Sequence, residues 1–205
     1  MSPQDIADRF KGVGAILRDT HVVYTSGLHG SAYVNKDALY PHTEAVAELC
    51  GEIARRFHNE KVETVLAPAL GGIVLTQWTA HALSKMNGTK VAAIYAEKNA
   101  DGTFSVRRGY DRYLRGRRTL VLEDVLTTGG SVLRVMEAIR EFEPKVVGVG
   151  ALCNRGGLTA AALGVPRLEA LMTLNLDTFP PESCPMCAKG IPIEESVGKG
   201  SGKKA

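Results

Sequence analysis

The chain has 205 residues, is 44% hydrophobic and 23% charged, and carries a formal net charge of +3. That is enough apolar material for one globular domain with a sizeable core, too little and too dispersed a charge to mark a nucleic-acid binder, and no apolar run approaches the ~18 residues of a membrane span. The opening stretch MSPQDIADRF lacks the apolar core of a secretory signal, so a cytoplasmic enzyme is expected.

Ser2 followed by Pro3 resembles an N-cap with proline at the first helical position. Ile6, Phe10, Val13 and Leu17 then recur at helical spacing and predict an amphipathic helix over 3–18. HVVYTSGLHGSAYVN, residues 21–35, holds two short β-like runs around a glycine-rich turn. Over 43–58, Val46, Leu49, Ile53 and Phe57 share one helical face. Apolar strands are expected at 62–69, 90–97, 118–124, 145–154 and 167–175. Helices are expected up to about Met86, over 130–142 and near 157–163, with Asn87-Gly88 stopping the first of them. Between the second and third of these strands, residues 98–118 form a long basic excursion. Asp101-Gly102 signals a hairpin there, with Thr103 to Val106 returning. The tail 196–205 is rich in glycine and lysine and is expected to be flexible.

Strands alternating with helices predict an α/β fold, doubly wound around a mainly parallel five-stranded sheet. Ligands in such folds sit beyond the carboxyl ends of the strands. The informative end is LEDVLTTGGS, residues 122–131. Glu123 and Asp124 arrive at the edge of the sheet and suit the hydroxyls of a sugar or a metal-bound water. Gly129 and Gly130 open a helix whose backbone N–H groups and dipole attract an anion, and Thr127, Thr128 and Ser131 add hydroxyl donors. The segment asks for one ligand with a phosphate at one end and a diol nearby. It is neither a Walker loop nor GxGxxG.

There are four cysteines. Cys50 and Cys153 lie in apolar contexts and read as core residues. Cys184 and Cys187, in CPMC, supply only two of the four ligands of a structural zinc site, and no thioredoxin-like context surrounds them. They are expected to hold no metal; a zinc site shared between subunits or a disulfide stays open. Trp78 and His81 read as packing and surface on a helix. His29 and His42 are placed in loops, with His29 a candidate for lining a site. Arg112, Arg115, Arg117 and Arg118 read as a solvated edge.

LVLEDVLTTGGS resembles the phosphoribosyl-pyrophosphate signature of the type I phosphoribosyltransferases. Further stretches resemble the orotate phosphoribosyltransferases within that family: YTSGLHGSAYVN, APALGGIVL, YAEKN with FSVRRGY, CNRGG and ESCPMCAKGIPI. The likeness runs from about residue 20 to 195. It implies a single domain over 1–195, with a hood from about 1–40 and 168–195 and a mobile loop over about 97–112. It implies transfer of the phosphoribosyl group of 5-phosphoribosyl 1-pyrophosphate (PRPP) to N1 of orotate, with Mg²⁺ as cofactor. Small molecules are then the partners, without nucleic acid or membrane, in a homodimer with shared active sites.

By that resemblance PRPP is bound by Glu123 and Asp124 at the ribose hydroxyls. Val125 and Leu126 lead into Thr127, Thr128, Gly129, Gly130 and Ser131 around the 5′-phosphate, and Ala69, Leu70, Gly71 and Gly72 meet the pyrophosphate. Orotate falls to Arg155, paired with its carboxylate, and to Thr128, Ser26 and Gly27. The catalytic set is Asp124 with Lys98, Arg107 and Arg108 of the mobile loop. No residue is expected to hold metal by itself, Mg²⁺ being held mainly by PRPP. Thr25 and Gly71 stand where many relatives have lysine, which leaves the general acid unassigned. Two other readings stay open: transfer to a different base, and a non-catalytic PRPP-sensing regulator.

Overall fold

The computed structural model describes residues 1–24, 26–174 and 177–197. Thr25, Asn175 and most of the expected flexible tail therefore lie outside the described residues. In chain order the elements are α1 (Pro3–Gly12), β1 (Ile16–Val23), β2 (His29–Val34), α2 (Thr43–Phe57), β3 (Thr64–Pro68), α3 (Gly71–Asn87), β4 (Ala92–Lys98) and β5 (Phe104–Ser105). There follow β6 (Arg118–Leu126), α4 (Gly130–Ala138), β7 (Lys145–Asn154), α5 (Ala160–Leu163), β8 (Leu168–Thr173), β9 (Thr178–Phe179) and α6 (Pro185–Ala188).

The chain divides into two compact units, one of residues 1–6 and 42–174, the other of 7–41 and 175–205. The first holds a six-stranded sheet in the order β5-β4-β3-β6-β7-β8. Strands β4, β3, β6, β7 and β8 are parallel, and β5 adds an antiparallel edge, Glu97 opposite Ser105 and Lys98 opposite Phe104. Strand residues alternate between two helical layers. Leu66, Val121, Val149 and Ala151 join Val132, Val135 and Ile139 on the α4 side. On the other side, Gly150 lies against Leu122 and Ile53, so close that an added Cβ would come within 2.9 Å of the α2 side chain. Both faces are therefore dry, and β3 is buried along its whole length.

The second unit is built on an antiparallel sheet, β1-β2-β9. The expected helix over 3–18 stops at Gly12, and Leu17 belongs to β1. Gly14 sits at φ +68°, the Gly14 N–H donates to Lys11 O and the Ala15 N–H to Phe10 O. Those bonds close a glycine C-cap that outweighs the continuing apolar spacing. The helix expected over 130–142 likewise ends at Ala138, with a 3₁₀ turn over Arg140–Phe142. Asn87 does end α3, with Gly88 in the left-handed region at φ +63°.

Among the described residues no helix is long and apolar enough to cross a membrane. Cys50 and Cys153 are buried as expected. Burial pushes both thiols up to about 12, slightly opposed at Cys153 by the Arg155 charge.

Candidate active site

Parallel strands deliver their carboxyl ends to one edge, so the segments after β3, β4, β6 and β7 emerge together. β6 runs two residues beyond its predicted end, to Leu126. It carries Glu123 and Asp124, only 9% and 7% exposed, to that edge. Local backbone donors hold the carboxylates: the Asp124 N–H donates to Glu123 Oε1 at 3.2 Å, and the Val125 N–H to Asp124 Oδ1 at 2.7 Å.

The chain then wraps a cavity of about 150 Å³ lined by Glu123, Val125 to Ser131, and Arg134. Gly129, at φ +75°, is the N-cap of α4. A side chain there would meet the adverse φ and also Leu163 Cδ2 at 2.5 Å. The first N–H groups of α4 thus face an anion-sized hollow under the positive end of the helix dipole. Arg134 is a residue that reading the sequence missed. It lies one helical turn past Gly130, and its Nη1 comes within 3.5 Å of where a Gly130 Cβ would be. The i, i+4 spacing from the loop was the available signal.

The segment Ala69 to Gly72, expected to meet pyrophosphate, is likewise built from closely packed backbone. Ala69 N–H donates to Ala96 O at 2.8 Å, and the Ala69–Leu70 peptide is cis. α3 starts at Gly71 with no side chain capping it, and its Ile73 N–H turns back to Leu70 O at 3.0 Å, which leaves the Gly71 and Gly72 N–H groups as those without an intrahelical acceptor. Gly72 presses on β3, where a Cβ would come within 2.5 Å of Ala67 Cβ.

Arg155 follows β7, which pairs in register with β6 as far as Leu126 opposite Asn154. Its loop is tied to the phosphate loop: the Arg155 and Gly156 N–H groups both donate to Leu126 O, at 2.8 and 3.3 Å. Asn154 braces the far side by accepting from the Leu158 N–H and donating to Leu158 O. A Cβ on Gly156 would lie 1.7 Å from Thr127 O, so CNRGG and TTGGS form one packed assembly. The acidic pair Glu123-Asp124, the TTGGS loop and the Arg155 loop thus lie together at one edge of the sheet.

Lys98 ends β4 and is exposed. Arg107 and Arg108 lie on the returning arm, and both turn to Glu97: Arg108 Nε donates to Glu97 Oε1 at 2.7 Å, and Arg107 Nη1 is 3.9 Å from Glu97 Oε2. Arg107 also donates to Ser105 Oγ and Asn99 Oδ1. The hydrogen bond and charge of Glu97 push the Arg108 guanidinium further up. Ser26 and Gly27 belong to the second unit, in the turn between β1 and β2. There the Gly27 N–H donates to Tyr24 O at 2.9 Å and the Tyr24 N–H to Leu28 O at 2.8 Å. His29 is no loop residue; it opens β2 and is buried. A roomier hollow of about 590 Å³, lined by residues such as His58, Glu63 and Lys90, sits at the amino edge of the strands and carries none of this chemistry.

A phosphoribosyl transferase domain model matches residues 36–164. The orotate phosphoribosyltransferase of Desulforamulus reducens is 38% identical over 192 residues, 94% of this chain and 95% of that protein. The chain belongs to the orotate phosphoribosyltransferase family. A solved member from Aeropyrum pernix is 25% identical, with a TM-score of 0.61 over 82% of this chain and 93% of that one. The Mycobacterium tuberculosis orotate phosphoribosyltransferase in complex with 5-phospho-α-D-ribosyl 1-diphosphate is 22% identical and shares the fold, with a TM-score of 0.60 over 85% of this chain and 92% of that one. The α/β architecture with its mostly parallel sheet is thus the type I phosphoribosyltransferase fold.

Proposed function

We propose that this chain transfers the phosphoribosyl group of PRPP to N1 of orotate, giving orotidine 5′-monophosphate and pyrophosphate in pyrimidine biosynthesis. The observation that carries the reading is the joined assembly at the sheet edge: two buried carboxylates, an anion-sized hollow at a helix N-terminus, and an arginine loop packed on both. Glu123 and Asp124 accept hydrogen bonds from the ribose hydroxyls. The backbone at Thr127 to Ser131, with Arg134 beside it, receives the 5′-phosphate. Gly71 and Gly72 present N–H groups to the pyrophosphate, and Arg155 meets the orotate carboxylate with both arms of its guanidinium. The family resemblance assigns the base a hydroxyl from Thr128 and backbone contacts from Ser26 and Gly27.

As the bond from C1 to the pyrophosphate oxygen breaks, the electron pair leaves with pyrophosphate and the ribose becomes oxocarbenium-like. N1 bonds to C1, and its proton ends on the departing pyrophosphate. Lys98, Arg107 and Arg108 stabilise the charge growing on the leaving oxygens, and a closed hairpin keeps water from capturing the sugar. Among the described residues no group of three or more metal-binding side chains includes Glu123 or Asp124. Two carboxylates beside a phosphate site fit a Mg²⁺ ion carried mostly by the substrate's own phosphates and water. When bound, that ion neutralises charge on the pyrophosphate.

The deciding assay follows orotate consumption with PRPP and Mg²⁺, against uracil and hypoxanthine as competing bases and with a chelator arm. Orotate-selective turnover that EDTA abolishes is expected. Turnover of a purine instead, or none with any base, would overturn the assignment.

A further inference from the structure

The second unit holds a cluster that the transfer reaction does not use. His21 on β1 and His29 at the start of β2 meet Cys184 and Cys187, which bracket the first turn of α6, and the four ligand atoms lie within 4.8 Å of one another. His21, His29 and Cys184 are buried, Cys187 exposed. Cys187 Sγ is 3.3 Å from His29 Nδ1 and 3.7 Å from His21 Nε2, and Cys184 Sγ is 3.7 Å from His21 Nε2. A tetrahedral zinc with ~2.0 Å bonds to nitrogen and ~2.3 Å bonds to sulfur has ligand-to-ligand edges of about 3.3–3.8 Å. Three of the four sulfur–nitrogen separations match it. The two ring nitrogens, 2.8 Å apart, sit at hydrogen-bond distance and would part by about 0.5 Å around an ion of that size.

The surroundings orient the ligands. His21 Nδ1 lies 2.7 Å from Ile191 O, so Nδ1 carries the proton and donates, and the Nε2 lone pair points into the cluster. This is the carbonyl brace that metal-bound histidines usually have. Gly190, at φ +64°, turns the chain after α6 and brings Ile191 back, and the Gly190 N–H donates to Cys187 O. A hydrogen-bonded histidine pair by itself would require neither sulfur.

We infer that His21, His29, Cys184 and Cys187 form a structural site for a tetrahedral divalent metal of the zinc class. Two nitrogens and two sulfurs with no open position suit Zn²⁺ over Mg²⁺ or Ca²⁺. The site joins segments 163 residues apart. Its two histidines also flank the Tyr24–Leu28 turn, so the metal clamps both ends of the segment that carries Ser26 and Gly27. This last clause rests on the orotate reading above; the metal site itself does not.

The test begins with the full-length protein, purified without chelator and without a nickel column. Elemental analysis should find about one zinc per chain. Replacing zinc by Co²⁺ should give the intense visible bands of tetrahedral cobalt and a thiolate-to-cobalt charge-transfer band. Cys187→Ser, at the exposed ligand, and His29→Gln should each lose the metal, while Cys50→Ala keeps it. The wild-type cobalt spectrum needs no variant to fold. A wild-type chain that stays metal-free and silent with Co²⁺, or a Cys184–Cys187 disulfide in freshly isolated protein, overturns the site. If metal removal leaves the KM for orotate unchanged relative to that for PRPP, the clamp is overturned while the metal site stands.

Discussion

In the proposed reaction Asp124 serves PRPP and Arg155 serves orotate. Asp124→Asn should weaken PRPP, read as a raised KM for PRPP. Arg155→Ala should raise the KM for orotate about 10- to 100-fold, the worth of a charge-assisted bidentate pair, and leave that for PRPP nearly unchanged. Equal losses for both substrates would mean that Arg155 only supports the phosphate loop. Gly156 is a harsher case: with a Cβ 1.7 Å from Thr127 O, Gly156→Ala must push the two loops apart. Its KM should rise for both substrates. At the other extreme, Cys50 and Cys153, pushed up to about 12 by burial, carry almost no thiolate at pH 8. Both should resist thiol reagents in the folded protein, measured by mass spectrometry after a native pulse.

The hairpin of β4 and β5 and the helices behind the sheet behave as separate elements. Asp101 Oδ1 accepts from the Thr103 N–H and hydroxyl, which holds its carboxyl below the usual range, and Gly102 sits at φ +83°. Those bonds set the turn that returns Arg107 and Arg108 toward Glu97. Lys98→Ala should cut kcat more than it changes either KM, because its charge meets pyrophosphate mainly as that group departs. A change confined to the KM for PRPP would make Lys98 a ground-state contact. Behind the sheet, Ile53 on α2 is fully buried against Gly150. Ile53→Val should cost about 0.5–1.5 kcal/mol and Ile53→Ala about 2–5 kcal/mol in denaturant melts.

For the molecule as a whole, acid stability and assembly are the measurable quantities. Glu63 accepts from the Arg118 N–H and from Arg117 Nη1. Those contacts hold its carboxyl below the ordinary value of 4.5. A lowered folded value means that the stabilisation is present above pH 4.5 and is lost as pH falls through the folded value. Glu63→Gln should therefore remove a few tenths of a kcal/mol at pH 7, as for an exposed pair, and nothing once both forms are protonated. For assembly, the family resemblance implies a homodimer in which one subunit's hairpin serves its partner's site. Mixing the impaired Lys98→Ala and Arg155→Ala chains should then restore turnover at low orotate, and light scattering should give twice the chain mass. Mixtures that stay as impaired as their components would confine each site to one chain.

Local sequence determined the elements and the phosphate loop, because both are written in short-range terms. The apolar runs of β3, β6 and β7, the Asn87-Gly88 stop and the acids before TTGGS all depend on neighbours a few residues apart. Tertiary structure decided where α1 ends, since a glycine cap competes with spacing that continues past it. It decided that Arg134 lines the cavity of the TTGGS loop, and that Arg107 and Arg108 gather on Glu97. Above all it decided the company of Cys184 and Cys187. Two ligands of a tetrahedral site lie beside each other in CPMC, but the other two arrive from β1 and β2. No local pattern reports a contact made only when a distant hairpin and a terminal turn pack together.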